Sequence, residues 1–273
     1  MLGTDATGRL TGASRGPFVV AHRGASEDAP ENTLPAFELA LDAGCEVLEC
    51  DVRVSRDRHV VVIHDATLQR TTDGVGSVAE WTWDSLRHLD AGYGARFGDR
   101  FAGTQLPRLQ DVLDMARGRA QVMVEIKADA VGSPAGGIEE LCLAAGRATS
   151  MLDELAVISM EPVALRRIRG LVSRVTTGLV FRRYRRRRLV RETIAARADF
   201  LVAHVGTLIR DTTIARRAGD AGVRVGAYVV NDAQVLRSLV REGVESLASA
   251  RPLSMIEELK RQRPRGAVGE GGR

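Results

Sequence analysis

Short apolar segments rich in β-branched residues alternate with amphipathic segments of helical period, and this alternation repeats eight times between residues 17 and 262. Mostly continuous apolar strands, most of them followed by a helix, are typical of a parallel sheet covered by helices. Eight such units predict an α/β fold, a closed TIM (β/α)₈ barrel. The predicted strands are Phe18–His22, Val47–Val54, Ala120–Lys127, Leu155–Ser159, Thr176–Phe181, Asp199–His204, Val223–Val230 and Glu245–Ser249.

One connection departs from the regular alternation. Residues 58–64 have the pattern of an extra strand that forms a hairpin with the second barrel strand, and a polar insertion follows at about residues 66–108. Connections of this length are usually functional or disordered, and the aromatic residues Trp81, Trp83 and Tyr93 favour an ordered insertion that caps the barrel mouth. The Gly-rich, polar ends of the chain predict disordered tails at 1–16 and 263–273, with one barrel domain at 17–262.

Composition excludes several classes of protein. The 273 residues are 44% hydrophobic and 27% charged, the profile of a globular protein. No apolar run approaches the roughly 20 residues that span a bilayer, and the N-terminal segment lacks the apolar centre of a signal peptide, so we expect a cytoplasmic location. Three cysteines in no metal-binding pattern make a disulfide framework unexpected, and a net charge of +4 is no signature of nucleic-acid binding.

Acidic residues stand where the apolar strands end. Glu49 and Asp51 are two residues apart in the second strand, so their side chains share a face, whereas Cys50 between them faces the opposite way. Glu125 ends the third strand in the same manner, and strand ends of a barrel meet at its C-terminal mouth. Three carboxylates are hard oxygen ligands, which predicts one bound divalent cation, Mg²⁺ or Ca²⁺. The alternative is a structural network in which arginines neutralise the acids.

Titratable and cationic residues accompany these acids. His22 ends the first strand and His64 ends the hairpin strand, and both are candidates for general acid and base because imidazole titrates near neutral pH. Arg23 and Lys127 are candidates for binding a phosphate. This combination predicts phosphate-ester chemistry. A dinucleotide-dependent reaction is not expected, since no Gly-rich fingerprint follows a strand. The remaining histidines, among them His204, are predicted to be core or surface residues.

The motifs HRG, ENT, E-x-D, HD, RTT and EIK occur in this order between His22 and Lys127. In this respect the chain resembles the glycerophosphodiester phosphodiesterase family, from about Phe18 to Leu259. The resemblance implies a TIM barrel with an insertion after the second strand, a divalent metal on Glu49, Asp51 and Glu125, and small-molecule glycerophosphodiesters as substrates. The implied catalytic pair is His22 and His64, and the implied substrate-binding residues are Arg23, Lys127, Glu31, Asn32 and Tyr228.

The same resemblance implies a mechanism in which one histidine deprotonates a glycerol hydroxyl and the other protonates the departing alcohol. A cyclic phosphate then opens with water to give sn-glycerol 3-phosphate. The sequence leaves the assignment of acid and base to the two histidines open. It also leaves open a structural role at this point of the chain, because Asn32 or Thr33 could serve as the N-cap of the predicted helix that follows.

The second half of the chain departs from the family pattern. Tyr228 stands where the family has a tryptophan, Met160 replaces an aromatic residue, and Ser249 and Ala250 replace a Thr-Asp pair. These departures keep open a phospholipase-D-like or lysophospholipase-D-like enzyme on the same barrel, which an apolar mouth around Trp81, Trp83, Tyr93 and Met160 would favour. A non-catalytic phosphate- or membrane-binding module is the third hypothesis.

The densest charge cluster is the arginine-rich run Arg182–Arg188. It follows the fifth barrel strand, so its first residues could face the barrel mouth and attract an anionic substrate or make peripheral contact with anionic membrane surfaces. The alternative is a solvated helix face with an arginine bias. No nucleic-acid partner is expected, because Tyr184 is the only aromatic residue within the run.

Overall fold

The computed structural model describes residue 10 and residues 16–132, 136–182 and 188–262. Eight parallel strands pair in a closed ring, in which the first strand bonds to both the second and the last, and an antiparallel strand extends the second. The predicted TIM barrel is therefore confirmed. The strands are β1 Phe18–His22, β2 Val47–Val54, β3 Val60–Val62, β4 Gln121–Ile126, β5 Leu155–Ser159, β6 Thr176–Phe181, β7 Phe200–His204, β8 Arg224–Tyr228 and β9 Ser246–Ser249.

Helices follow most of the barrel strands, as the sequence pattern predicts. Apolar stripes on their inner faces pack against the outside of the sheet. The helices are α1 Leu34–Asp42, α2 Trp83–Leu86, α3 Gly94–Phe97, α4 Leu109–Ala116, α5 Ile138–Ala148, α6 Pro162–Leu171, α7 Leu189–Ala195, α8 Val205–Arg210, α9 Thr213–Gly219, α10 Ala233–Arg241 and α11 Pro252–Gln262.

Two cores result from the alternation of side chains along each strand. Inward-facing residues such as Met123 and Val202 fill the barrel, whereas outward-facing residues pack beneath the helices. Cys50 belongs to the outer core, so its neighbours Glu49 and Asp51 must point into the barrel. The two-residue period of the strand therefore places the side chains of Glu49 and Asp51 in the barrel interior.

The insertion at 66–108 is ordered, as predicted, and has a small core of its own. Leu68, Val78 and Leu86 pack with Val61 and Ile63 of the hairpin. The predicted cap is not what the structure shows, because no residue between 66 and 108 lines the cavity at the barrel mouth. The insertion instead packs on β3, beside the mouth.

Leu10 closes the opposite end of the barrel. Its side chain is buried among Phe18, Phe200 and other residues of the inner core, and its backbone N–H donates to Gln121 while its carbonyl accepts from Thr176 and Arg224. Leu10 thus has defined contacts, although it lies in the segment 1–16 that the sequence predicts to be a disordered tail. The rest of that segment except Gly16, and the predicted tail 263–273, lie outside the described residues. Among the described helices, none has the length and apolar character required to cross a membrane.

Candidate active site

Three carboxylates meet at the C-terminal mouth of the barrel. Glu49 and Asp51 project inward from β2, and Glu125 projects from β4, where it is the register partner of Asp51. Each offers an oxygen atom, and these atoms lie within 4.8 Å of one another. All three residues are buried, with Asp51 fully inaccessible. The predicted acidic cluster therefore exists as one site.

The hydrogen-bond donors around the cluster leave one carboxylate oxygen atom without a partner. Oε2 of Glu49 accepts the backbone N–H of Arg23 at 2.9 Å, but Oε1 of Glu49 is buried with no hydrogen-bond donor. An orphaned buried carboxylate oxygen is costly unless a cation coordinates it. The three carboxylates with this free oxygen atom fit a hard divalent cation, which prefers oxygen ligands.

Two cations lie directly against the carboxylates. Nζ of Lys127 is 2.6 Å from Oδ1 of Asp51 and 2.9 Å from Oε1 of Glu125, and Nε of Arg23 is 3.0 Å from Oδ2 of Asp51. The alternative, a structural network in which basic residues neutralise the acids, is thus partly present. Neutralisation is incomplete, however, because Glu49 has no ion-pair partner within 4 Å among the described residues.

The charge balance of the site shows the same excess of acid. Five carboxylates, three of them in the cluster, face three cations, so two negative charges remain when all five carboxylates are ionised and the histidines are neutral. The carboxylates are Glu31, Glu49, Asp51, Asp65 and Glu125, and the cations are Arg23, Arg70 and Lys127. A divalent cation carries the charge that would balance this excess.

The pKa values respond to burial and to these charges. Burial, together with Asp51 and Glu125, raises the pKa of Glu49 well above its usual value, and burial with Asp51 also raises the pKa of Glu125. Burial acts on Asp51 in the same direction, but Lys127 and Arg23 outweigh it and hold the pKa of Asp51 well below normal. Of the three acids, Asp51 is therefore the one most firmly held as an anion.

Asn32 holds Asp51 in place. Its Nδ2 donates to Oδ2 of Asp51 at 2.8 Å, and its Oδ1 accepts the backbone N–H of Asp51 at 3.1 Å. Asn32 adopts a φ of 60°, a left-handed conformation that asparagine tolerates better than most residues. The alternative that Asn32 caps α1 is wrong, since Thr33 occupies the N-cap position.

The two candidate histidines lie in different surroundings. Burial and the nearby Arg23 lower the pKa of His22 to about 3, so its ring is neutral near pH 7. Nδ1 of His64 lies 2.6 Å from Oδ1 of Asp65. Burial lowers the pKa of His64 as well, although Asp51 and Asp65 oppose this shift. His64 therefore has a carboxylate partner that can stabilise its protonated form.

A chain of ion pairs connects His64 to the acidic cluster. Arg70 donates to Asp65 at 2.6 Å and to both oxygens of Glu31 at 2.8 Å, and Glu31 in turn accepts from Arg23 at 2.8 Å. Glu31 thus bridges two arginines and has no free oxygen of its own. Its pKa is lowered because Arg70 and Arg23 outweigh the effect of burial.

A cavity of about 400 Å³ opens beside the cluster. One side carries His22, Arg23, His64 and the acids, and the other side is formed by the ends of β5 to β9. Tyr228 lines that second side, where its hydroxyl donates to the Phe181 carbonyl at 3.1 Å. Burial raises the pKa of Tyr228 to about 12, so its hydroxyl stays protonated.

A sequence model of the Glycerophosphoryl diester phosphodiesterase family matches residues 22–254. The chain belongs to this family. Glycerophosphodiester phosphodiesterases are phosphoric diester hydrolases, and the arrangement above is the site at which such a hydrolase would act. The match covers the acidic cluster, both histidines and the cavity together.

Individual relatives agree with this assignment. The glycerophosphodiester phosphodiesterase of Caldanaerobacter subterraneus subsp. tengcongensis is 36% identical over 165 residues, which is 60% of this chain and 66% of the relative. The crystal structure of the Agrobacterium tumefaciens enzyme superposes with a TM-score of 0.74 at 29% identity, over 88% of this chain and 99% of that one. An Oleispira antarctica phosphodiesterase in complex with the product sn-glycerol-3-phosphate gives a TM-score of 0.76 at 26% identity, over 89% and 97%.

The departures from the family pattern divide into two groups. Met160 and Tyr228 line the cavity, whereas Ser249 and Ala250 contact Asn231 at the turn after β8 and lie outside the cavity lining. Trp81, Trp83 and Tyr93 are absent from the lining as well. The apolar mouth that would favour a lysophospholipase-D-like enzyme is therefore not formed by these residues.

Sequence reasoning missed several residues of the site. Asp65 and Arg70 lie in the HD and RTT motifs but received no role, and Arg53 holds the His64 carbonyl with bonds of 2.7 and 3.0 Å. His204 is exposed, in agreement with a surface position, and it also lines the cavity. Its position at the end of β7 is the signal that identified His22 and His64, and it applied equally here.

The arginine-rich run contributes one residue to this region. Arg182 lines the cavity, and Arg188 precedes α7. Residues 183–187 lie outside the described residues, so membrane contact through Arg182–Arg188 stays a prediction.

Proposed function

We propose that this enzyme uses one divalent cation, Mg²⁺ or Ca²⁺, to hydrolyse glycerophosphodiesters to an alcohol and sn-glycerol 3-phosphate, and that it acts in the cytoplasm. The observation that carries the proposal is the buried cluster of Glu49, Asp51 and Glu125, with a free Glu49 oxygen and two imidazoles on the same cavity. A cation bound there would act as a Lewis acid on the phosphoryl oxygens.

Arg23 is positioned to bind the phosphate. It lines the cavity, and its contacts to Asp51 and Glu31 fix the guanidinium at the edge of the acidic cluster. Lys127 also lines the cavity, between Asp51 and Glu125. Both groups would stabilise the negative charge that develops on the phosphoryl oxygens during transfer.

We assign the base to His22 and the acid to His64. The His22 ring is enclosed and neutral, so it can accept the proton of the glycerol hydroxyl next to the diester. That oxygen attacks phosphorus, and the bond between phosphorus and the leaving alcohol breaks. His64, whose Nδ1 is paired with Asp65, can carry the proton that the leaving oxygen needs. Addition of water to the cyclic phosphate then uses the two groups in reversed roles.

A substrate panel tests this function. Purified enzyme is assayed with glycerophosphocholine, glycerophosphoethanolamine, glycerophosphoinositol and lysophospholipids, and release of glycerol 3-phosphate is measured with and without chelator. We expect hydrolysis of the glycerophosphodiesters, loss in chelator, and recovery with Mg²⁺ or Ca²⁺. Full activity in excess chelator, or a higher kcat/KM for lysophospholipids, would contradict the proposal. Glu49→Gln should be inactive, whereas Glu140→Gln, an exposed residue of α5, should retain activity.

A further inference from the structure

The side of the cavity that faces away from the acidic cluster has a distinct chemical character. Between β5 and β9 it is lined by apolar residues deep in the barrel, including Ile158, Val180 and Val202, and by Arg182 and His204 at the rim. Every carboxylate among the described residues of the cavity belongs to the other side: Glu49, Glu125 and Asp129. The rim opposite the acidic cluster is therefore cationic and free of acid.

Arg182 is the cation of this rim. Its side chain is exposed, and no carboxylate among the described residues lies within 4 Å of its guanidinium. Arg182 also borders an adjoining cavity of about 370 Å³, which it shares with Met160 and Val180. Glu192 lines that second cavity but not the first. An anion held at the rim would thus contact Arg182, whose charge is not already neutralised by an ion pair with a described carboxylate.

His204 adds a hydrogen-bond donor to the rim. Its Nδ1 accepts the backbone N–H of Gly206 at 3.1 Å, so the neutral ring must carry its proton on Nε2. The ring packs edge-on against Tyr228, with ring centroids 5.7 Å apart. The two polar groups at the rim, the Arg182 guanidinium and the His204 imidazole N–H, are both hydrogen-bond donors. Both therefore suit a ligand group that accepts hydrogen bonds.

The two halves of a glycerophosphodiester make different demands on the cavity. The glycerol half is small and the same in every substrate, and its attacking hydroxyl must lie at His22, so it can stay within the cavity beside the acidic cluster. The alcohol half varies in size and must extend towards solvent when it is large. With the phosphate near the acidic cluster, a large alcohol must extend towards solvent past the rim, and Arg182 and His204 form the side of the rim opposite the cluster.

We propose that Arg182 and His204 form a head-group subsite that favours glycerophosphodiesters whose alcohol itself carries an anionic group such as a phosphate. This inference rests on the proposed function. The same rim disfavours a quaternary-ammonium alcohol, because it offers an arginine where such a group requires an aromatic cage or a carboxylate. Tyr228 is the only aromatic residue other than histidine among the described residues of the cavity.

A matched pair of substrates tests the subsite. The kcat/KM values of the unmodified enzyme are measured for glycerophosphoinositol 4-phosphate and glycerophosphoinositol, which differ by one phosphate, and for glycerophosphocholine. We expect the phosphorylated substrate to be preferred by about two- to fivefold, the scale of one partly exposed charge contact. The ratio should decrease as salt is added, because an exposed contact is screened.

Variants assign the effect to Arg182. Arg182→Gln should reduce the ratio to about one, Arg182→Glu should invert it, and Arg182→Lys should retain most of it. Arg166→Gln is the control, because it removes the same charge from an exposed position of α6 outside the cavity lining; its ratio should equal that of the parent. An equal rate for both inositol substrates, or a preference that survives in Arg182→Glu, would overturn the subsite. Failure to hydrolyse any diester would instead reject the proposed function, and the subsite with it.

Discussion

Oδ1 of Asp65 lies 2.6 Å from Nδ1 of His64, and the other oxygen of the same carboxylate accepts from Arg70 at 2.6 Å. This arrangement fixes the orientation of the imidazole and directs its Nε2 away from Asp65. It also explains the low pKa of Asp65, about 2, since Arg70 and His64 both stabilise the carboxylate against the effect of burial. Asp65 is thereby a positioning residue for the proposed general acid.

Replacing Asp65 by Asn should weaken catalysis through His64. We expect kcat to fall by about tenfold to a hundredfold, less than the loss on removing an acid catalyst outright. Asp65 raises the pKa of His64, so its loss lowers that pKa further, and the alkaline decline of kcat/KM should move to lower pH. The pH profile of the variant measures this shift. Asp84→Asn, an exposed residue of the insertion, is the control, and an unchanged alkaline limb in Asp65→Asn would contradict the positioning role.

The assignment of acid and base can be tested with an activated leaving group. An alcohol such as p-nitrophenol departs without protonation, so a diester of glycerol phosphate with p-nitrophenol does not need an acid. We expect His64→Gln to lose activity on glycerophosphocholine but to keep much of the rate of p-nitrophenol release from the nitrophenyl diester, because that release precedes the opening of the cyclic phosphate. His22→Gln should be inactive on both, because the attacking hydroxyl still requires a base. If His22→Gln rather than His64→Gln kept activity on the nitrophenyl diester, His22 would be the acid and His64 the base.

Binding of a divalent cation should stabilise the folded protein through Glu49. At a hundredfold excess over Kd the gain is about 2.7 kcal/mol, and for a domain of this size it should raise Tm by about 5–10 °C. Calorimetry in chelator and in Mg²⁺ or Ca²⁺ measures the shift. Glu49→Gln should show little or no shift, whereas Glu140→Gln should respond like the parent; an equal rise in Glu49→Gln would exclude Glu49 as a ligand.

The stability of Glu49→Gln relative to the parent protein should depend on pH when a chelator removes divalent cations. The pKa of Glu49 is raised in the folded state, so its contribution to stability is fully present below the unfolded pKa near 4.5 and is lost as pH rises towards the folded value. Glu49→Gln should therefore be more stable than the parent at neutral pH, and the two should converge as pH falls towards 4.5. Denaturant unfolding at several pH values measures this difference, and divergence towards acid would contradict the burial of an ionisable Glu49.

Leu10 should contribute to stability as a core residue does. Leu10→Ala removes a side chain that is only 2% exposed, and such replacements cost about 2–5 kcal/mol. Leu253→Ala, at a position 53% exposed, should cost much less. Urea unfolding of both variants distinguishes them. Equal stability would mean that Leu10 does not close the barrel in solution.

The sequence by itself determined the barrel and the acidic cluster. Because side chains alternate along a strand, Glu49 and Asp51 share one face. Because barrel strands end at the same mouth, Glu125, His22 and Lys127 are expected in the same site. These inferences need only local geometry and the order of strands. The boundaries of β1, β2, β5 and β6 follow equally from local apolar patterning, and the structure has them at the predicted residues.

Only the tertiary structure decided which groups contact one another. Glu31 and Arg70 are 39 residues apart, and Asn32 meets Asp51 only because the loop after β1 folds over the end of β2. The burial of Leu10 depends on partners more than 100 residues away. Local sequence carries the period and the propensity of each segment, but side-chain contacts of this kind depend on how distant segments pack. That is why neither the role of Asp65 nor the pairing of Arg182 with His204 at the rim could be derived from the sequence alone.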